Sequence, residues 1–77
     1  MTVEDVVAKV FQLEPDNVTN DMSRDEIEGW DSMGHLSLVV ALEEEFKIQI
    51  SIADAMEMGS VMQIKDMLRK YGVDREQ

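Results

Sequence analysis

Cysteine is absent from the 77-residue chain, so disulfide bonds and thiolate metal sites are excluded. The four glycines, at positions 29, 34, 59 and 72, are isolated from one another, which excludes a glycine-rich phosphate-binding loop. No apolar run approaches the length of a membrane span, and the first residues are acidic where a signal peptide would be basic. We therefore predict one small cytoplasmic domain over residues 1–77, near the lower size limit for a single hydrophobic core.

Basic residues are scarce: seven occur against seventeen acidic ones, and the formal net charge is −10. Between residues 12 and 57, twelve acidic residues are set against two basic ones, whereas the five acids and five bases elsewhere cancel. Such a negative field repels nucleic acid and anionic lipid and attracts basic protein surfaces. Alternatively, the acidity only keeps a small protein in solution. We predict a monomer with no nucleic-acid partner and no membrane insertion.

Patterns typical of catalysis and metal binding are also missing. The single histidine, His35, follows Ser32 by three residues on the same predicted helix, and that pair lacks an orienting third group and an oxyanion site. The acidic segment 21–31 lacks the alternating ligands and central glycine of an EF-hand. We therefore predict neither an enzyme nor a specific metal site, while weak association of divalent ions with the carboxylates stays open.

Hydrophobic periodicity and capping residues predict four helices, at about residues 2–11, 32–46, 52–57 and 60–71. Their predicted starting caps are Thr2 with Asp5, Asp31, Ser51 with Asp54, and Ser60 with Gln63. Pro15, Asp16 and Asn17 should end the first helix, Gly72 should end the last, and residues 73–77 should fray. The predicted fold is all-α, an up-and-down bundle of three main helices plus one short helix, with a long first loop.

The predicted first loop, residues 14–31, is acidic and has few apolar anchors, namely Val18, Met22, Ile27 and Trp30. A structureless loop of that length is uncommon in a compact domain unless it is functional. Ser23 with Glu26 is expected to cap a single helical turn inside it. Trp30 is expected to pack over the loop rather than to stay exposed for partners.

The second helix has a wider apolar arc than one buried face requires. Its core stripe is Leu38, Val39, Leu42 and Phe46. We predict that a second stripe with its neighbours forms a partner-docking face, made of Met33, Leu36, Ser37, Val40, Glu43 and Glu44. For Met33, burial under the loop or the third helix is an equal alternative.

The stretch GWDSMGHLSL, residues 29–38, resembles the D-S-L/M motif of acyl and peptidyl carrier proteins. The likeness continues in VTND at 18–21, ALEEEF at 41–46, Ile50 and VMQIKDML at 61–68, which fall in the carrier family's order and spacing. Met33 stands in place of the usual leucine. With Trp30, His35 and Ser37, it makes the stretch more similar to stand-alone carriers of specialised pathways than to the housekeeping fatty-acid carrier.

The resemblance implies that Ser32, preceded by Asp31, carries 4′-phosphopantetheine donated by coenzyme A through a phosphopantetheinyl transferase. The terminal thiol of the arm would hold acyl groups as thioesters for loading and transferring enzymes of fatty-acid or polyketide biosynthesis, which dock through basic surfaces. The start of a helix favours a phosphate. From the residues alone, however, plain capping is the better explanation of Asp31 and Ser32.

The resemblance also implies an acyl cavity beside the arm, lined in part by the third-helix segment. The candidate lining residues are His35, Val39, Leu42, Phe46, Ile50, Ala55, Met58 and Leu68. Methionines suit a changing guest, although they serve equally as core fillers. His35 at the cavity mouth would bond the pantetheine or an acyl carbonyl, but we prefer the ordinary alternative of a histidine bonded to loop backbone or solvent.

Two other functions fit the sequence. D-S-M-G also occurs in D-alanyl carriers, so an aminoacyl or peptidyl carrier is the second candidate. A candidate from a different class is an acidic helical adaptor that carries no prosthetic group and binds basic partners through the same face.

Overall fold

Four α-helices make up the computed structural model, which describes residues 1–73. They are α1 (Val3–Phe11), α2 (Ser32–Phe46), α3 (Ile52–Met56) and α4 (Val61–Lys70). A short 3-10 helix lies at Pro15–Asn17, and the described residues contain no strand beyond one isolated bridge between Ser23 and Ser60. The predicted all-α bundle of three main helices plus a short one, with a long first loop, is confirmed.

Helix α1 begins with a complete capping box. The Thr2 hydroxyl accepts a hydrogen bond from the Asp5 N–H at 3.1 Å, and the Asp5 carboxylate accepts one from the Thr2 N–H at 3.0 Å. An N-cap of this kind contributes about 1 kcal/mol to helix stability. The hydrogen bonds from the Thr2 backbone and side chain also hold the pKa of Asp5 below its usual value.

The ends of α1 and α2 are set by residues in the left-handed region. Gln12 has φ +59°, and the Leu13 N–H behind it donates to the Ala8 carbonyl at 2.8 Å. Lys47, with φ +56°, ends α2 in the same way. The prediction that Pro15–Asn17 end α1 is wrong, because Gln12 closes the helix first and the proline segment then forms its own short 3-10 helix.

Helix α4 ends at the predicted glycine. Gly72 has φ +89°, and the Val73 N–H donates to the Leu68 carbonyl at 2.9 Å. Val73 is therefore not frayed as predicted, since it is partly buried against the core. Residues 74–77, the rest of the tail that was expected to fray, lie outside the described residues.

Helix α3 departs from the predicted capping box and ends at Met56, one residue earlier than predicted. The Ser51 hydroxyl accepts from the Asp54 N–H at 3.1 Å, but the Asp54 carboxylate does not accept from the Ser51 N–H. It accepts from the Tyr71 hydroxyl at 2.5 Å and from Lys70 Nζ at 3.2 Å, and the Ser51 N–H donates to the Tyr71 oxygen at 3.0 Å. The Tyr71 bond, followed by the Lys70 bond, holds the pKa of Asp54 below its usual value.

The long loop is anchored in its middle and near its end. The Arg24 N–H donates to the Gly59 carbonyl at 3.1 Å, which ties the middle of the loop to the residue pair before α4. Ser23 and Glu26 form a hydrogen-bonded turn, not the predicted helical turn. Trp30 is 3% exposed and its ring stacks on Phe11 with centroids 5.4 Å apart, so the predicted packing of Trp30 is confirmed.

The core lies between α1, α2 and α4. Its fully buried large side chains are Val3, Val6, Val7, Leu38, Leu42, Met58, Val61, Ile64 and Leu68. Removing each such side chain from water contributes roughly 1.5–3 kcal/mol. No helix within residues 1–73 combines the length and the hydrophobicity that a membrane crossing requires.

Candidate functional site

Ser32 is the first residue of α2, and its side chain is exposed. The preceding residue, Asp31, is the N-cap: its carboxylate accepts from the Gly34 N–H at 2.9 Å and its carbonyl from the His35 N–H at 2.7 Å. The N–H groups of Ser32 and Met33 have no hydrogen-bond partner in residues 1–73. Together with the positive end of the helix dipole, these free N–H groups favour a phosphate on the Ser32 oxygen.

The start of α4, in contrast, is closed by the protein itself. The Val61 N–H donates to the Met22 carbonyl at 3.0 Å and the Met62 N–H to the Asn20 carbonyl at 3.0 Å. The next N–H, of Gln63, donates to the Ser60 hydroxyl at 3.2 Å. The long loop therefore covers the N-terminus of α4 and leaves that of α2 open.

Two glycines allow the loop to approach α2 closely just before Ser32. Gly29 has φ +92°, a conformation that side chains rarely permit. A Cβ on Gly34 would overlap the Gly29 carbonyl oxygen and would lie 3.0 Å from Phe11 Cε1. This role of Gly34 was not predicted, although a glycine inside a predicted helix is a signal for such a contact.

An apolar groove of about 460 Å³ opens beside Ser32, between α2 and α3. It is lined by Ser32, His35, Leu36, Val39, Val40, Glu43, Ile50, Ile52, Ala55 and Met56. At the end of the groove away from Ser32, the Glu43 carboxylate accepts a hydrogen bond from the Ile50 N–H at 2.8 Å. The charge of Glu43 is therefore paired with a backbone donor. The groove begins at the hydroxyl and continues along apolar side chains, a surface that suits a hydrocarbon chain.

Half of the predicted cavity residues lie in this groove, namely His35, Val39, Ile50 and Ala55. The other four do not line the groove. Leu42, Met58 and Leu68 are at most 1% exposed, because they fill the interior of the bundle. Phe46 is half-buried against the core and is not among the residues that line the groove. This groove thus lies at the surface, between two helices.

His35 bridges the loop and α3 at the mouth of the groove. Its Nδ1 accepts from the Trp30 indole N–H at 2.9 Å, and its Nε2 lies 2.7 Å from the Ala55 carbonyl oxygen. An indole nitrogen only donates and a carbonyl only accepts, so these partners assign the proton to Nε2. Both ring nitrogens are therefore bonded to protein groups.

The predicted docking residues lie along the outer side of α2. Met33 is 74% exposed, Leu36 59% and Val40 44%, and Ser37 and Glu44 are exposed as well. Glu43 is half-buried, in keeping with its bond to Ile50. Ile52 and Met56 of α3, which were not among the predicted site residues, are 81% and 75% exposed and continue the same apolar surface across the groove. The available signal was that so short a helix cannot bury them.

Comparison with known proteins places the chain in a family. Residues 2–68 match the family model described as phosphopantetheine attachment site. An acyl carrier protein of Bdellovibrio bacteriovorus is 33% identical over 70 residues, covering 91% of this chain and 90% of the relative. One of Buchnera aphidicola is 32% identical over 69 residues, covering 90% and 88%.

The fold has a matching relative of known structure. The solution structure of holo acyl carrier protein from Geobacter metallireducens superposes with a TM-score of 0.76 and 23% sequence identity. The superposition covers 97% of this chain and 91% of that one. The family match over most of the chain, the curated relatives and this common fold show that the chain belongs to the acyl carrier proteins, the family defined by a phosphopantetheine attachment site.

Proposed function

We propose that the chain is an acyl carrier protein whose 4′-phosphopantetheine is attached to the Ser32 hydroxyl. The observation that carries this proposal is the position of one exposed hydroxyl, at the open N-terminus of α2 and at the mouth of an apolar groove. In the transferase, the Ser32 oxygen would attack the phosphorus of coenzyme A that bears the pantetheine. A new P–O bond to Ser32 would form, the pyrophosphate P–O bond would break with adenosine 3′,5′-bisphosphate leaving, and the hydroxyl proton would pass to a base of that enzyme.

The residues around Ser32 fit the group. The free N–H groups of Ser32 and Met33 are available to the phosphodiester oxygens, and the helix dipole favours its charge. When bound, the group supplies a terminal thiol that holds acyl groups as thioesters, a function the cysteine-free chain does not contain. The contribution of the protein is to present Ser32 and to cover an apolar chain along Val39 and Ile50.

The groove favours an acyl cargo over an aminoacyl one. A free ammonium group on the cargo would need a carboxylate or several carbonyl partners inside an otherwise apolar groove. Glu43 is the acidic residue of the described lining, and its carboxylate is bonded to the Ile50 N–H. A hydrocarbon chain requires no such partner. Its contact with the apolar walls removes apolar surface from water, which stabilises the bound chain.

The partners are proposed to be the transferase and enzymes that load and transfer acyl groups in fatty-acid or polyketide synthesis. They would dock on the outer side of α2, where Leu36 and Val40 supply apolar contact and Glu44 supplies charge for basic surfaces. We propose that the carrier acts as a cytoplasmic monomer, so that one arm can reach several enzymes in turn.

The proposed function is tested by incubating the purified chain with a phosphopantetheinyl transferase, magnesium and coenzyme A. We expect the intact mass to increase by one phosphopantetheine unit. An unchanged mass, in a reaction where a known carrier is fully modified, would instead support the adaptor that carries no prosthetic group. The unmodified chain alone should show no turnover of acyl-coenzyme A.

A further inference from the structure

Helix α3 forms one wall of the groove, but its own residues bury too little surface to fix its position. It contains five residues, and none of them is fully buried. Its apolar side chains Ile52 and Met56 are 81% and 75% exposed. A helix of this length is not stable in isolation, so contacts with its neighbours must fix its position.

Two polar side chains, one on α2 and one directly after α4, supply such contacts at both ends of α3. At the start, the Tyr71 hydroxyl accepts from the Ser51 N–H and donates to Asp54. At the end, His35 Nε2–H donates to the Ala55 carbonyl over 2.7 Å. The second contact crosses the groove, because His35 and Ala55 both line it, whereas Tyr71 is not among the lining residues.

The loop before Ser32 holds His35 in the orientation that this contact needs. The Trp30 indole N–H occupies Nδ1 at 2.9 Å, which leaves the proton on Nε2 and aims that nitrogen at α3. Trp30 is in turn fixed, since it is 3% exposed and stacks on Phe11. A chain of contacts therefore runs from the loop that leads into Ser32, through α2, to the opposite wall of the groove.

We propose that His35 is a positioning residue that sets the distance between Ser32 and the α3 wall, and thereby how well the groove covers an acyl chain. It acts through the Ala55 carbonyl and not by contact with the reacting thiol. The part that concerns the acyl chain rests on the proposed function, whereas the hold on α3 does not.

Two substitutions separate the two hydrogen bonds of His35. The side-chain amide of asparagine reaches the position of Nδ1, so His35→Asn keeps a partner for Trp30 and loses the bond to Ala55. The longer amide of glutamine reaches the position of Nε2, so His35→Gln keeps a donor for Ala55 and loses the bond to Trp30. Both variants replace the imidazole with a side-chain amide. A general loss of packing at this site would therefore affect both variants to the same extent.

The first measurement is amide hydrogen exchange by NMR on the unmodified protein. In His35→Asn we expect the α3 amides, such as that of Ala55, to exchange about tenfold faster while α4 core amides stay within about twofold of wild type. In His35→Gln we expect α3 protection close to wild type and a shifted signal of the single indole N–H. Unprotected α3 amides in wild type, wild-type protection of α3 in His35→Asn, or an equal loss in all helices of both variants would each overturn the proposal.

The second measurement uses protein loaded by the transferase from octanoyl-coenzyme A. Hydroxylamine should cleave the octanoyl thioester several-fold faster in His35→Asn than in wild type, and at the wild-type rate in His35→Gln. Equal rates in all three proteins would overturn the role of His35 in covering the chain. If the transferase modifies none of the three, the proposed function fails, and the exchange data still decide whether His35 holds α3.

Discussion

The carbonyl group of Gly29 lies against the Cα of Gly34, closely enough that a Cβ on Gly34 would overlap the carbonyl oxygen. This contact joins the last turn of the long loop to the first turn of α2. It fixes the direction from which the chain enters Asp31 and Ser32. The presentation of the proposed attachment site thus depends on a residue without a side chain.

Gly34→Ala is expected to destabilise the protein by about 1–3 kcal/mol, because the overlap is with rigid backbone. A loss of stability would be informative, because alanine inside a helix is ordinarily about 1 kcal/mol more favourable than glycine. Urea unfolding measures the change. Gly59→Ala is the matched control: its Cβ would lie 3.3 Å from Oε1 of the flexible Gln63 side chain, so its cost should be smaller. If Gly34→Ala is as stable as wild type, the close contact between Gly34 and the Gly29 carbonyl is wrong.

Tyr71→Phe should lower the melting temperature more at pH 7 than in acid. The Tyr71 hydroxyl lowers the pKa of Asp54 in the folded state, so its stabilising effect is present above the usual aspartate value of 3.8 and is lost as pH falls through the lower folded pKa. A smaller difference remains in acid, because the Ser51 N–H also loses its partner.

The control for this pH dependence is Tyr71→Phe made in an Asp54→Asn background. There the loss in melting temperature should be the same at every pH, since the titrating partner is gone. Thermal scans between neutral pH and acid compare the four proteins. If the effect of Tyr71→Phe in the wild-type background does not shrink with acidification, the assigned hydrogen bond to Asp54 is wrong.

Leu36→Ala should lower kcat/KM of the transferase by about fivefold or more, because an exposed apolar contact at an interface centre is worth at least about 1 kcal/mol. Glu44→Gln should chiefly raise KM, with an effect that disappears at high salt. Met62→Ala is the control, since Met62 is 51% exposed on α4, away from the proposed face. Equal rates for Leu36→Ala and Met62→Ala would place the docking face elsewhere.

Ala55→Leu should shorten the acyl chain that the groove can cover, because the added side chain projects into the space between α2 and α3. After loading from octanoyl-coenzyme A, hydroxylamine should cleave the thioester faster than in wild type. Ala53→Leu is the matched control on the same helix, at an exposed position outside the groove lining. The same cleavage rate in both variants would argue that the acyl chain does not enter the groove.

The starts of the helices could be predicted because each depends on a hydroxyl or carboxylate adjacent in sequence. The left-handed conformation that closes α1 and α2 could not be predicted, since Gln12 and Lys47 occupy a conformation that sequence patterns assign to glycine or asparagine. The tertiary packing that holds Leu13 and Ile48 beyond those ends overrides the local preference.

The candidate site was predictable at Ser32 and along the outer side of α2, where capping and surplus apolar residues mark it. Which apolar residues line the groove and which fill the core could not be predicted. Leu42 and Met58 are apolar like the true groove residues, and only their burial in the folded bundle separates them. The bonds from His35 to Trp30 and Ala55 likewise depend on tertiary distances that one sequence does not specify.

The most direct test of the account is to locate the attached group. The chain is treated with transferase and coenzyme A and then sequenced by fragmentation in the mass spectrometer, alongside Ser32→Ala and Ser37→Ala, the latter removing another exposed hydroxyl of α2. We expect one phosphopantetheine on Ser32 in wild type and in Ser37→Ala, and none on Ser32→Ala. Modification of Ser32→Ala, or of any other residue in the wild-type chain, would contradict it.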